Sequence, residues 1–265
     1  MKREYKFSSV LLIQVLTGIV LFLIGILLNK IFANQTGEIS LAKSLITSLL
    51  TSVITIFGGF IIARGLIYNR MGSVGEYFDG INNFNGKVFL VGFLIYVLPS
   101  LISSFLASNY SESVVSSISM GGRFPKSIIG SSILVFIILM VYEILTTFKF
   151  FVIADNPDLS FGQLFKKVFI VGKDLWKKAI KIILLWVILP FVIFVILGFF
   201  SVSAFSGPDS LAGLGILLIN MIIYAIVMVF ISISIWARLS EAYLDYKESK
   251  AISGKIQSEI DGEIE

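Results

Sequence analysis

Long apolar runs alternate with short polar ones along the whole chain, at residues 10–28, 45–63, 88–107, 128–153, 182–200 and 212–237. Each is about the length an α-helix needs to cross a hydrocarbon core of about 30 Å. The pattern predicts an all-α polytopic membrane protein. Six transmembrane helices form one domain over residues 1–247, and an acidic tail, residues 248–265, frays beyond Lys247. The first run is read as a retained helix, because no small-residue cleavage site follows Leu28.

Two stretches between the spans carry a helical rather than a continuous apolar pattern. In the longer one, Phe161, Leu164, Phe165, Val168, Phe169, Leu175 and Trp176 share one arc of a helix, and Lys166, Lys167, Lys173, Lys177 and Lys178 occupy the other. Ser160 and Gln163 have capping-box spacing, and Leu159 and Leu164 stand where a hydrophobic staple would close. A basic amphipathic helix placed between two spans is expected to lie in the membrane surface with its lysines on anionic phospholipid headgroups. Ser73 and Glu76 repeat the box, and Val74, Tyr77, Phe78 and Ile81 follow as a shorter surface helix ending at Asn82–Asn83.

The two stretches belong to a repeat. The segments that end at Pro99 and at Pro190 each run from capping box through surface helix and a Lys-marked entry to a span that reaches proline. Proline removes a backbone donor, so Pro99 and Pro190 are candidate helix breaks. Paired interrupted spans point towards a transporter site near the midplane, whereas neighbouring helices commonly re-satisfy the carbonyl that a proline frees. Small residues mark two further faces: Gln14, Gly18 and Gly25 in the first span, and Ser44, Ser48, Thr51, Ser52, Thr55, Gly58 and Gly59 in the second. Close packing of these two faces on each other is the expectation, with a polar pathway as the competing reading.

Composition narrows the chemistry. The chain has 265 residues, 57% hydrophobic and 14% charged, with neither Cys nor His. Its mean hydropathy is +0.95. Thiolate nucleophiles, disulfides and the usual proton carrier are therefore absent, and no catalytic residue, metal-ligand set or cofactor motif is legible. The net charge of +4 matters less than its placement. Lys2, Arg3, Lys6, Arg64, Arg70, Lys87, the lysines between Lys166 and Lys181, and Arg238 fall on the side that carries both termini. Only Lys30, Lys43, Arg123 and Lys126 fall opposite. The positive-inside rule then puts both termini in the cytoplasm and the protein in the plasma or inner membrane. The same lysines, committed to headgroups, argue against nucleic acid.

Glu143 is the acidic residue well inside a span, and an intramembrane carboxylate is a functional candidate by default. Arg64, Lys181 and Arg238 are its candidate counter-charges, and Lys149 is expected to snorkel to the surface. Asp155, Asn156 and Asp158 read as ordinary turn and cap chemistry before Ser160 rather than as a cation site.

The run Val152-Ile153-Ala154-Asp155-Asn156-Pro157-Asp158-Leu159-Ser160 opens the amphipathic stretch, and Leu175-Trp176-Lys177-Lys178 leads into the fifth span. With the six-span architecture, it resembles a bacterial family of six-helix membrane proteins, the YciC-like proteins and the membrane domain fused to some glycerophosphoryl diester phosphodiesterases. The resemblance implies an envelope or lipid connection and carries no catalytic residue. The function expected is a non-enzymatic integral membrane protein that organises lipid or a membrane-protein partner at the cytoplasmic face. The alternative is a small transporter or permease for an amphiphilic or lipid-like solute, working through Glu143, Pro99 and Pro190.

Overall fold

The computed structural model describes residues 3–32, 39–99, 102, 126–205 and 210–262, and no β-strand occurs among them. In chain order come α1 (Phe7–Ile31), α2 (Ile39–Tyr68) and α3 (Val74–Phe78), then a 3₁₀ turn over Asp79–Asn83. After these follow α4 (Gly86–Pro99), α5 (Lys126–Thr146), α6 (Lys149–Asp155), α7 (Phe161–Phe205) and α8 (Ser210–Gly262). Among the described residues, five helical stretches are long and apolar enough to cross a membrane, the α5–α6 stretch Leu134–Asp155 counting as one. They are six when the bent pair Val74–Asn83 and Gly86–Pro99 counts as one broken span. This is the architecture of a multi-pass membrane protein.

The buried core sits at one end, where the basic loops gather. It takes the last turns of α2 (Ile56 to Leu66), Tyr77 of α3 and the first turns of α4. All of α6 from Lys149 to Ala154, the first half of α7 and the Ile233–Tyr243 stretch of α8 complete it. Away from that end the helices turn large apolar side chains outward, among them Phe136 on α5, Phe191 on α7 and Met221 on α8. Such faces are stable only against hydrocarbon.

The fourth apolar run is not one helix. It breaks at Thr147–Phe148, and Phe148 is completely buried. The break lies where α7 comes closest: a Cβ on Gly172 would fall on the Leu145 carbonyl. Glycine there lets two backbones touch, which no other residue permits. Helix α7 then runs antiparallel to α8, with Lys178 3.8 Å from Asp245 and Phe194 6.1 Å from Tyr224 between ring centres.

Three expectations change. First, the long amphipathic helix is not separate from the fifth span: α7 is 45 residues without interruption. Nothing between Ser160 and Ile182 forms a turn, so hydrogen bonding continues, and Leu164, Val168, Val171, Leu175 and Ala179 are buried against protein rather than lipid. Outward go Phe161, Ile170 and Trp176. Second, α8 continues past Lys247 to Gly262 instead of fraying. Third, the small-residue faces of the first two spans do not pack closely: Gln14 and Gly18 face Thr55, Gly58 and Gly59 across a cavity. A Cβ on Gly18 or Gly25 would meet open space, whereas one on Gly58 would fall 2.7 Å from the Thr17 hydroxyl and one on Gly59 2.9 Å from the Phe150 ring. The hydroxyls of Ser52 and Thr55 bond back to Ser48 and Thr51 carbonyls at 2.6 and 2.8 Å, so they turn inward on their own helix. Ser44 lies outside the described side chains, as does most of the third span beyond Pro99.

Candidate functional site

The capping boxes set where the connecting segments start. At Ser73 the box closes both ways: its backbone N–H donates to Glu76 Oε2 at 2.8 Å and its Oγ accepts from the Glu76 N–H at 3.4 Å. At Ser160 only half forms, with the Ser160 N–H donating to Gln163 Oε1 at 3.2 Å while the hydroxyl donates to the same oxygen at 2.9 Å.

Asp155 is the residue on which the basic end closes. Its side chain is 7% exposed. Oδ1 accepts from the Tyr68 hydroxyl at 2.6 Å and from Lys247 Nζ at 2.7 Å, and Oδ2 accepts from the Tyr243 hydroxyl at 2.9 Å. One carboxylate therefore joins the ends of α2 and α6 to α8. Arg64 reinforces it, donating to the Ala154 carbonyl at 2.7 Å with its guanidinium 4.8 Å from the Tyr68 ring centre. Lys167 donates to Asn156 Oδ1 at 2.6 Å and Asn85 Nδ2 to the Pro157 carbonyl at 3.0 Å, so the α6–α7 turn is tied on every side. Sequence reasoning passed Asp155 over because Asn-Pro-Asp before a cap reads as a turn; no spacing in the chain pairs residue 155 with residues 68, 243 and 247.

Arg70 makes a second knot on the same end. It donates to the Glu4 and Arg3 carbonyls at 3.0 and 3.1 Å and to Ser240 Oγ at 2.8 Å, with Glu241 3.6 Å away. Burial lowers its guanidinium from the ordinary value, an effect that the Glu241 charge opposes. The N-terminal segment, the α2–α3 turn and α8 thus share one cation.

Glu143 and Lys149 lie together away from both knots. Lys149 Nζ donates to Glu143 Oε2 at 3.2 Å; the lysine side chain is 8% exposed and the glutamate 52%. Lys149 therefore does not snorkel. The break at Thr147–Phe148 turns it inward, beside the Tyr96 ring at 5.3 Å. The glutamate's partner is this lysine, not Arg64, Lys181 or Arg238. Both charges line a cavity of about 410 Å³ between α5–α6, α7 and α8, whose other walls are mainly Ile182, Ile183, Ile235 and Trp236. A second cavity of about 360 Å³, lined by Gln14, Thr55 and Gly59 among others, shares Ser232 and Trp236 with it. Gln14 donates to Ser232 Oγ at 2.7 Å, and its own Oε1 is buried without a partner.

The two prolines differ. Pro99 leaves the Ile95 carbonyl without a backbone donor, and the Tyr142 hydroxyl from α5 fills it at 2.8 Å. Pro190 lies inside the uninterrupted α7 rather than at a break. In hydrocarbon every other backbone group still needs its intrahelical partner, so losing one bond does not end the helix.

The lysines of α7 separate by height. From Lys166 to Lys181 the helix rises about 22 Å, more than two Debye lengths of about 10 Å. They cannot all meet one headgroup plane while α7 continues its own span. Lys167 and Lys178 are engaged, with Asn156 and Asp245. Lys166, Lys173 and Lys181 are exposed with no acidic partner among the described residues, and Lys177 stands 5.7 Å from the exposed Trp176 ring. No protein-family model, curated protein or solved structure matches the chain.

Proposed function

We propose that the chain is a non-enzymatic membrane protein whose basic end, in the cytoplasm, gathers anionic lipid and presents a rigid head to a partner protein. The observation that carries this reading is the continuity of α7. Because it leaves its apolar run without interruption, Lys177, Lys181 and, on α8, Arg238 form a collar where the apolar runs end, with Trp176 beside them as an interfacial aromatic. The half of α7 beyond the collar is packed through Leu164, Val168 and Val171 into the head closed by Asp155 and Arg70. Lys166 faces outward from that head, about 16 Å along the helix from Lys177 and beyond headgroup range, and is suited to an acidic partner surface. The envelope and lipid connection of the family that the chain resembles agrees with this role.

The test is lipid retention by the full chain, extracted in neutral detergent from membranes of mixed composition and weighed by native mass spectrometry. Replacing Lys177, Lys181 and Arg238 by Gln should shed anionic phospholipid at about 1 kcal/mol per charge. Replacing Lys166 should not. Equal retention in both variants would refute the collar.

A second reading, a small transporter for an amphiphilic solute, is favoured by one observation: the Glu143 cavity and the Gln14 cavity meet at Ser232 and Trp236. Under that reading Glu143→Gln abolishes solute flux into proteoliposomes while expression and melting temperature hold. A lower melting temperature with no flux in the wild type assigns Glu143 to structure.

A further inference from the structure

The cavity beside Lys149 combines features that contact with bulk lipid does not require. An ammonium carries three donors, and among the described residues Lys149 Nζ gives one, to Glu143 Oε2. Its other near neighbours are aromatic rings, Tyr96 and Phe150. A charge so deeply buried is costly unless its hydrogen bonds are met, and the open volume beside it is where an acceptor would sit. Glu143, on α5 before the break, keeps Oε1 without a partner among the described residues. The remaining wall, Ile182, Ile183, Ile235 and Trp236, is apolar. Lys181 and Arg238 precede the lining residues Ile182 and Leu239 directly, so the cavity lies where the apolar runs of α7 and α8 end, at headgroup depth.

We propose that this cavity binds a single-chain phospholipid of the lysophosphatidyl type. Its phosphate accepts from the two spare donors of Lys149, its free glycerol hydroxyl donates to Glu143 Oε1, and the first part of its one acyl chain lies on Ile183 and Ile235. The volume is in the range of small-ligand pockets, and the remainder of the acyl chain follows the exposed Ile137 and Phe136 face of α5. A second chain would esterify the glycerol hydroxyl and remove the donor to Glu143. A fatty acid offers an anion but no hydroxyl to donate to Glu143 Oε1. The inference concerns the cavity beside Lys149 rather than the exposed charges of the collar.

The full chain in neutral detergent, titrated with lysophosphatidylglycerol, diacyl phosphatidylglycerol and palmitate under native mass spectrometry, tests it. The lysophospholipid should bind at least about tenfold tighter than either competitor. Lys149→Met should weaken it about tenfold, the loss of a charge-assisted hydrogen bond, and Glu143→Gln should shrink its advantage over the analogue lacking the glycerol hydroxyl. Ile183→Trp fills the cavity and leaves both charges in place, so it should block binding even where Lys149→Met fails to fold. The collar variant should keep the preference for one chain over two. Equal binding of diacyl lipid or palmitate, or unchanged lysophospholipid affinity in Ile183→Trp, would overturn the assignment.

Discussion

The segments that end at Pro99 and Pro190 repeat one another in sequence and differ in shape. In the first, the helix that follows the capping box stops after two short turns, and the chain bends 101° before α4 begins. In the second, the helix runs on from Phe161 through Pro190 to Phe205. The difference lies in Asp79-Gly80-Ile81-Asn82-Asn83-Phe84-Asn85, where the second segment has Lys, Val, Phe and Ile. Asn and Gly weaken a helix interior, and Asn85 offers an alternative: its Oδ1 accepts from the Lys87 and Val88 N–H groups at 3.1 and 3.0 Å and starts a new helix. Tyr77, completely buried against Gly65, holds the bent arm down. Without such residues the second arm keeps its hydrogen bonds and runs on as one helix. The two arms then brace each other, since the helix ends from which they spring are joined by Tyr68 and Asp155.

The comparison breaks most severely at Gly172. Leucine there would drive α7 off the Leu145 carbonyl, and overpacking against backbone costs about 3 kcal/mol or more. Thermal unfolding in detergent should fall sharply for Gly172→Leu and stay near wild type for Gly162→Ala, where nothing lies within 4 Å of the added carbon. A well-folded Gly172→Leu would show that the two backbones do not touch.

Next in size is Asp155→Ala. Buried Tyr243 loses its acceptor, at about 1–3 kcal/mol for a buried donor left unmet, while the exposed Tyr68 and Lys247 exchange theirs for water at a smaller cost. Because Asp155 joins both arms to α8, limited proteolysis should cut the Pro157 turn and the α2–α3 turn faster together. Faster cutting at one turn alone would mean that the arms are held independently.

The smallest effect belongs to Tyr142→Phe, which deletes the hydroxyl that fills the Ile95 carbonyl beside Pro99. A loss of about 1 kcal/mol is expected, read as a lower melting temperature. The same substitution should become neutral when Pro99 is replaced by Ala, because the backbone donor returns. Equal losses in both backgrounds would separate Tyr142 from the proline.

Much of this was legible in the chain. The apolar runs, both box spacings, the stop at Asn82–Asn83 and the polar face of the long amphipathic stretch are local properties, set by neighbours within a turn or two. The same locality misled at three places. The periodicity of Phe161–Trp176 says that one face is apolar but not whether lipid or protein covers it. The stretch around Lys149 continues a long apolar run with only Thr146 and Thr147 to interrupt it, and threonines inside a membrane helix do not mark the break that turns a lysine inward. Asp155 sits in a sequence that caps helices everywhere, and its value comes from residues 87 to 92 positions away.

By itself, then, the sequence determined a helical membrane chain, the side on which its basic charge gathers, and the bent arm, because backbone preference and hydrophobic period act over a few residues. Only the tertiary structure decided which apolar face is covered by protein, which carboxylate holds the basic end closed, and which cation Glu143 meets. Those outcomes depend on distances between segments far apart in the chain, and burial and hydrogen bonding are energies of that proximity rather than of any one stretch.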